Sequence, residues 1–186
     1  MRLIVGITGA SGVVYGVRLL QVLRELGVET HLVVSKAAEK LIKYEVELSL
    51  DAVKSLASKC YAPDDLMAPI TSGSYVVEGA VVAPCSMKTL AGIACGYSDN
   101  LLLRAVEVSL KERRRVVIVV REMPFSLIHL ENMVRVARAG GTLMAASPAF
   151  YHKPKSLSDA VDHVVGKVLD LFHIEHSLYR RWEGGT

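Results

Sequence analysis

Cysteine, aromatic residues and surplus charge are all scarce in this chain of 186 residues, and each shortage excludes something. Its three cysteines (Cys60, Cys85 and Cys95) form no CxxC pair and no even framework, so reduced thiols are expected rather than a disulfide scaffold. Lys and Arg number 22 against 19 Asp and Glu, a net charge of +3, too slight for the dense basic stripe that nucleic acid requires. The run Lys111-Glu112-Arg113-Arg114-Arg115 is the only local concentration of positive charge, and it reads as a solvated helix end. No apolar run approaches the ~20 residues that cross a bilayer, because Arg18, Lys36 and Lys40 interrupt the candidates. Glycines occupy MRLIVGITGASG where a signal peptide carries its apolar centre, so a cytoplasmic location is expected. His173 and His176, one helical turn apart, have no third ligand at a fixed spacing, so no metal is expected.

What is present is apolar: 51% hydrophobic residues against 22% charged, ample for one domain spanning residues 1–186. Arg2–Ile7 (RLIVGI) reads as a strand, followed by helical spacing through Val13, Val17, Leu20 and Leu23 to a stop at Gly27. Thr30–Val34 is a second strand, and Ser35 to about Leu48 a second helix. Further strands are expected at Gly79–Ala83, Val116–Val120 and Thr142–Ala146. Helices are expected at about Met87–Ala94, Leu101–Glu112 and Leu127–Ala139, and from Ser156, opened by the capping pattern Ser156-x-x-Asp159, to about Phe172. Strands too apolar to alternate, interleaved with helices, predict an α/β fold: a Rossmann-like parallel sheet with helices on both faces. Ligands of such sheets bind at the carboxyl ends of the strands.

Four of those strand ends carry chemistry. Gly6-Ile7-Thr8-Gly9-Ala10-Ser11-Gly12 can bring backbone N–H groups and a helix start up to a phosphate or a flavin, or serve only as a tight turn. The spacing is not G-x-G-x-x-G, and the second strand ends in Ser35 rather than the acid that holds a ribose hydroxyl, so a mononucleotide is favoured over NAD. In Ala83-Pro84-Cys85-Ser86-Met87-Lys88-Thr89, Ser86 can cap the next helix, and Cys85 reads as a buried thiol rather than a nucleophile. Arg121-Glu122 follows the VVIVV strand, where a guanidinium suits phosphate or simply pairs with its neighbour. The loop Ser147–Pro154 adds Tyr151 beside His152 and Lys153.

The motifs TGASG (8–12), SKAAEK (35–40), APITSGS (68–74), APCSMKT (83–89), LKERR (110–114), REMPFSLIHLENM (121–133) and PAFYHKP (148–154) stand in an order that resembles the UbiX-like flavin prenyltransferases over nearly the whole chain. The resemblance implies a metal-independent prenyltransferase that joins the dimethylallyl group of dimethylallyl monophosphate to N5 and C6 of reduced FMN. Prenylated FMN would then serve a UbiD-type decarboxylase. By motif match, FMN contacts are implied for Gly9, Ala10, Ser11, Ser35, Ser86, Met87, Lys88, Thr89 and Arg121. Prenyl-phosphate contacts are implied for Lys111, Arg121, Tyr151 and Lys167, with Trp182 as a further aromatic. Catalytic roles are implied for Ser11, Glu45, Lys111 and Glu122, and a homo-dodecamer for the assembly.

The residues fit that chemistry. Cleaving an allylic C–O bond leaves negative charge on phosphate and positive charge on the allyl fragment, which cationic side chains and π faces respectively stabilise. Asp64-Asp65 alone is no magnesium cluster. Two positions depart from part of the family: Leu66 stands where some members carry Trp, and Lys167 where some carry Arg. Two alternatives share the fold: an FMN-dependent cysteine decarboxylase of the phosphopantothenoylcysteine type, and a non-catalytic flavin carrier. The first carries a His and an Asn-containing motif where this chain has Glu45 and PCSMKT, and a carrier has no use for a second phosphate site.

Overall fold

A computed structural model describes residues 1–184, so the last two residues of the expected 1–186 domain lie outside the described residues. Six segments become strands; the four inner ones are largely apolar runs covered on both sides, and the two at the sheet edges are short and partly exposed. The six are β1 (Arg2–Ile7), β2 (Glu29–Val34), β3 (Lys59–Tyr61), β4 (Gly79–Cys85), β5 (Arg115–Val120) and β6 (Thr142–Ala145). All pair in parallel, in the order β3-β2-β1-β4-β5-β6. Successive side chains point to opposite faces. Leu3, Val5, Val81 and Val117 therefore join one core, while Ile4, Ala80, Val82 and Ile118 join the other.

Helices α1 (Val13–Glu25), α2 (Lys36–Glu45) and α7 (Leu157–Leu171) close the first core, with Val17, Leu20, Ile42, Val164 and Val168. A bidentate ion pair from Arg18 Nε to Asp162 at 2.6 Å ties α1 to α7. Helices α4 (Met87–Cys95) and α5 (Leu101–Lys111) close the second with Leu90, Leu102 and Val106, and α6 (Leu127–Arg138) adds Val136. No helix among the described residues is long and apolar enough to cross a membrane.

Three local readings are corrected. The second helix ends at Glu45 rather than near Leu48, because Val46 is extended; Ser49 then caps the short helix α3 (Leu50–Ser55) through Ala52 N–H. Strand β3 was not expected at all. Beyond α7, which stops at Leu171, the chain leaves helical geometry, so His173 and His176 do not share a helix face. His176 bonds Asp170 while His173 sits 3.3 Å from Arg115.

Candidate active site

The strand order reverses between β1 and β4, and there the connections diverge to leave a crevice. One hydroxyl fixes its floor. Thr8 Oγ1 donates to the Pro84 carbonyl at 2.8 Å and accepts from Ser86 N–H at 2.8 Å, joining the ends of β1 and β4. Above it lies a cavity of about 580 Å³, within the range of small-molecule pockets, lined by Thr8, Gly9, Ser35, Ser86, Lys88 and Glu122 among others.

Two helices start at this cavity. Ser35 caps α2 by accepting from Ala38 N–H at 3.2 Å, and Ser86 caps α4 by accepting from Thr89 N–H at 3.3 Å. Each cap satisfies one amide and leaves the first-turn amides of Lys36, Ala37, Met87 and Lys88 without helical partners, beside the Lys36 and Lys88 side chains. Convergent free amides, two helix dipoles and two ammonium groups make a seat for one phosphate. Val33, Met87 and Leu102 provide the apolar wall that a flavin ring system needs.

The third helix start is occupied. Gly12, left-handed at φ 101°, ends the turn after β1 and has no side chain with which to cap α1. Glu45, the last residue of α2, caps it instead: its Oε2 accepts from Gly12 N–H at 2.6 Å and Val13 N–H at 3.0 Å. A dinucleotide fold offers this helix start to a pyrophosphate. Here a carboxylate already fills it. Arg121 leaves the end of β5 and packs over the same turn, where its charge draws down the Tyr15 phenol that burial raises. Ser11 is exposed at the tip of the turn, with Ala10 between it and the cavity-lining Gly9.

A separate cluster surrounds α7. The loop after β6 carries Tyr151, whose ring meets Trp182 edge-on at 5.6 Å and His163 at 6.1 Å. Lys167 lies one turn on from His163 and pairs with Asp170 at 3.3 Å. Lys111 joins neither group. It ends α5, eleven residues and about 16 Å beyond the end that begins beside the cavity at Asn100, and it pairs there with Glu112 near Gly73. Within one chain the expected meeting of Lys111 with Arg121 and Glu122 does not occur, because α5 runs away from the crevice to reach the start of β5. Burial pushes the Cys85 thiol far above its ordinary value, so it is no nucleophile.

Against this geometry stand the known proteins. The family model described as Flavoprotein matches residues 1–180. The chain is 49% identical over 182 residues to the flavin prenyltransferase UbiX of Methanocaldococcus jannaschii, covering 98% of each. The chain belongs to the UbiX-like flavin prenyltransferases. Among solved members of that family, the dodecameric FMN-dependent UbiX-like decarboxylase of Escherichia coli O157:H7 superposes with TM-score 0.97 at 52% identity, over 99% of this chain and 100% of that one. AnUbiX (PadA1), solved with FMN and dimethylallyl pyrophosphate, gives TM-score 0.98 at 48% identity over 100% and 98%.

Several cavity residues of this family member went unread in the sequence. Pro63, Asp64, Asp99 and Asn100 reach the crevice from segments far apart in the chain. The one local signal was Asn100, whose side chain caps α5 by accepting from Leu103 N–H at 3.1 Å. Thr8 carried no signal beyond its place between glycines. Among the described residues, no group of three or more His, Cys, Asp or Glu could hold a metal.

Proposed function

We propose that this chain is a metal-independent flavin prenyltransferase, transferring the dimethylallyl group of dimethylallyl monophosphate to N5 and C6 of reduced FMN. The observation that carries the reading is the disposition of three helix starts. Two open into the cavity with free amides and lysines, and the third is filled by Glu45. That arrangement suits a flavin mononucleotide and leaves no seat for a second nucleotide. Membership of the family supports the same chemistry.

FMN would be held through its phosphate at the starts of α2 and α4, by Ser35, Ser86, Met87, Lys88 and Thr89, with Gly9, Ala10, Ser11 and Arg121 at the first turn. When bound and reduced, the flavin supplies the nucleophilic N5 and C6. The chain's own residues manage the donor. Lys167, Arg121 and the Tyr151 hydroxyl hold the leaving phosphate, which departs with the electron pair of the broken C–O bond. Tyr151 and Trp182 present π faces to the allyl cation. The proton displaced from N5 would return to the prenyl double bond for ring closure; Glu122, at the cavity wall, or the departed phosphate would accept the proton released at C6, and Glu45 would steer charge at the turn it caps. Lys111 reaches such a site only from another copy of the chain, which agrees with an assembly of the dodecameric kind. The product would pass to a UbiD-type decarboxylase.

Anaerobic incubation with reduced FMN and dimethylallyl monophosphate, followed by mass analysis of the released flavin, tests the reading. A flavin heavier by one five-carbon unit is expected. Unchanged FMN, with the prenyl phosphate intact, would refute it.

A further inference from the structure

Asp170, one residue from the end of α7, receives more donors than any other carboxylate among the described residues. Oδ1 accepts from Arg181 Nη2 at 2.7 Å and His176 Nε2 at 3.1 Å. Oδ2 accepts from Tyr179 Oη at 2.5 Å and Lys167 Nζ at 3.3 Å. With only 18% of its side chain exposed, burial pushes this carboxyl up, yet the four hydrogen bonds outweigh it and hold the group well below the ordinary carboxylate range. Three of the four donors belong to the segment 176–181 that follows α7. That segment lies back against the helix at Gly166, where a Cβ would come within 2.6 Å of the Tyr179 ring and 2.7 Å of His176. Trp182 is the next residue, and it meets Tyr151 edge-on. A cavity of about 390 Å³ opens there, lined by Tyr151, His152, Lys153, Arg180, Arg181 and Trp182.

We infer that Asp170 is a positioning residue for the allylic phosphate: its carboxylate clasps segment 176–182 to α7, sets Trp182 against Tyr151, and holds Lys167 until a phosphate takes that ammonium over. The inference rests on the prenyl-phosphate reading above for its substrate, but the clasp itself does not depend on it. Four donors satisfy a carboxylate completely, so the arrangement is closed without ligand. Lys167 makes the longest of the four bonds, and its side chain is half exposed. It is the donor that an incoming dianion withdraws with least loss, since the other three still hold the segment.

The chain has a single tryptophan, and at 63% exposure its mobility rather than its emission colour reports the clasp. Asp170→Asn in the full chain should lower the fluorescence anisotropy of Trp182, with no substrate present. The KM for dimethylallyl monophosphate should rise by about tenfold, the loss of one charge-assisted hydrogen bond's worth of positioning. FMN affinity should stay within about twofold, because its proposed seat at the starts of α2 and α4 shares no lining residue with the cavity beside Trp182. Gly166→Ala reaches the same state by another route: the helix keeps a good helix former while Tyr179 and His176 are pushed off. Unchanged Trp182 anisotropy in both variants would overturn the clasp. Loosened Trp182 with an unchanged KM would overturn the positioning role. FMN affinity collapsing alongside the KM would make Asp170 merely structural and overturn it too. Should the wild-type protein fail to prenylate FMN, the proposed function falls, while the fluorescence comparison still decides whether the clasp exists.

Discussion

The Glu45 carboxylate caps a helix to which it does not belong, accepting from Gly12 N–H at 2.6 Å across 33 residues of sequence. Gly12 can turn left-handed only because it lacks a side chain, and for the same reason it cannot cap α1 itself. The last residue of α2 makes good the deficit. Its charge also sits at the positive end of the α1 dipole.

Glu45→Gln should therefore separate two roles. The amide still accepts from Gly12 and Val13 but brings no charge, so stability should fall by roughly 0.5–1 kcal/mol. FMN affinity should hold, and prenyl transfer should slow or stop before ring closure. Thermal melts, flavin titration and product mass decide the matter. A full yield of four-ring flavin from a merely less stable protein would leave Glu45 as a cap alone. In wild type, FAD should bind more weakly than FMN, since the carboxylate occupies the place of a pyrophosphate.

Lys167→Ala should lower turnover on the order of ten- to a hundredfold, the equivalent of about 1.5–3 kcal/mol of charge-assisted hydrogen bonding that strengthens as phosphate leaves. Lys167→Arg keeps the charge and should be tolerated. FMN affinity should change in neither. Equal initial rates for wild type, Lys167→Ala and Lys167→Arg at saturating flavin would return Lys167 to the role of a surface partner for Asp170.

A pH response should come from His31, fully buried between the Tyr61 hydroxyl at 2.8 Å and the Glu29 carboxylate at 3.0 Å. Burial lowers its folded-state value, against the opposing hydrogen bond of Glu29. Between the two values the unfolded chain binds more protons than the folded one. Stability is therefore present above the ordinary histidine value, about 6.5, and is lost as pH falls through the folded one. His163 shifts in the same direction, through burial and the nearby charges of His152 and Lys167. Melting temperature should drop from about pH 7.5 to about pH 5.5. In His31→Asn the drop should be smaller; an identical slope would assign the response elsewhere.

Helix α6 leaves Leu127 (70% exposed), Ile128 (68%), Leu130 (45%) and Val134 (47%) uncovered, beside Met123 and Phe125. A contiguous apolar face of this kind marks an interaction surface, and contact with further copies of the chain is its proposed use. Leu130→Asp with Val134→Glu should lower the mass measured by light scattering and, with it, activity, since the proposed use of Lys111 needs another copy. A variant of unchanged mass would move the contact to another face.

Legibility in the sequence followed locality. The capping box at Ser156 and Asp159 is written in four consecutive residues, and the structure forms both of its bonds. Strands β1 and β5 carry no charged or polar side chain after their first arginine and admit one reading. Strand β3, by contrast, is three residues (Lys-Cys-Tyr) at the sheet edge, and only pairing with His31–Val33 defines it. Val46 broke the second helix because its backbone turned extended, ready for the Ser49 cap, which no periodicity reveals. At the crevice, the turns after β1 and β4 were legible since ligand chemistry collects at strand ends. Asp64 and Asn100 were not, because the fold alone brings them there. Lys111 shows the converse: a motif marks it, yet the path of α5 carries it away.

Thr8 holds one last consequence. Its buried hydroxyl is shared by the carbonyl of Pro84 and the amide of Ser86, so the two turns beneath the cavity cannot drift apart independently. The floor is thus a single mechanical block, continuous with the middle strands, while Tyr151 and Trp182 hang on a loop and a tail. Selection for a longer or shorter prenyl donor could remodel the Tyr151 loop and the side chain at 182 while leaving the residues that bind Asp170 in place. The proposed grip on the flavin, set in the block, would stay constant throughout.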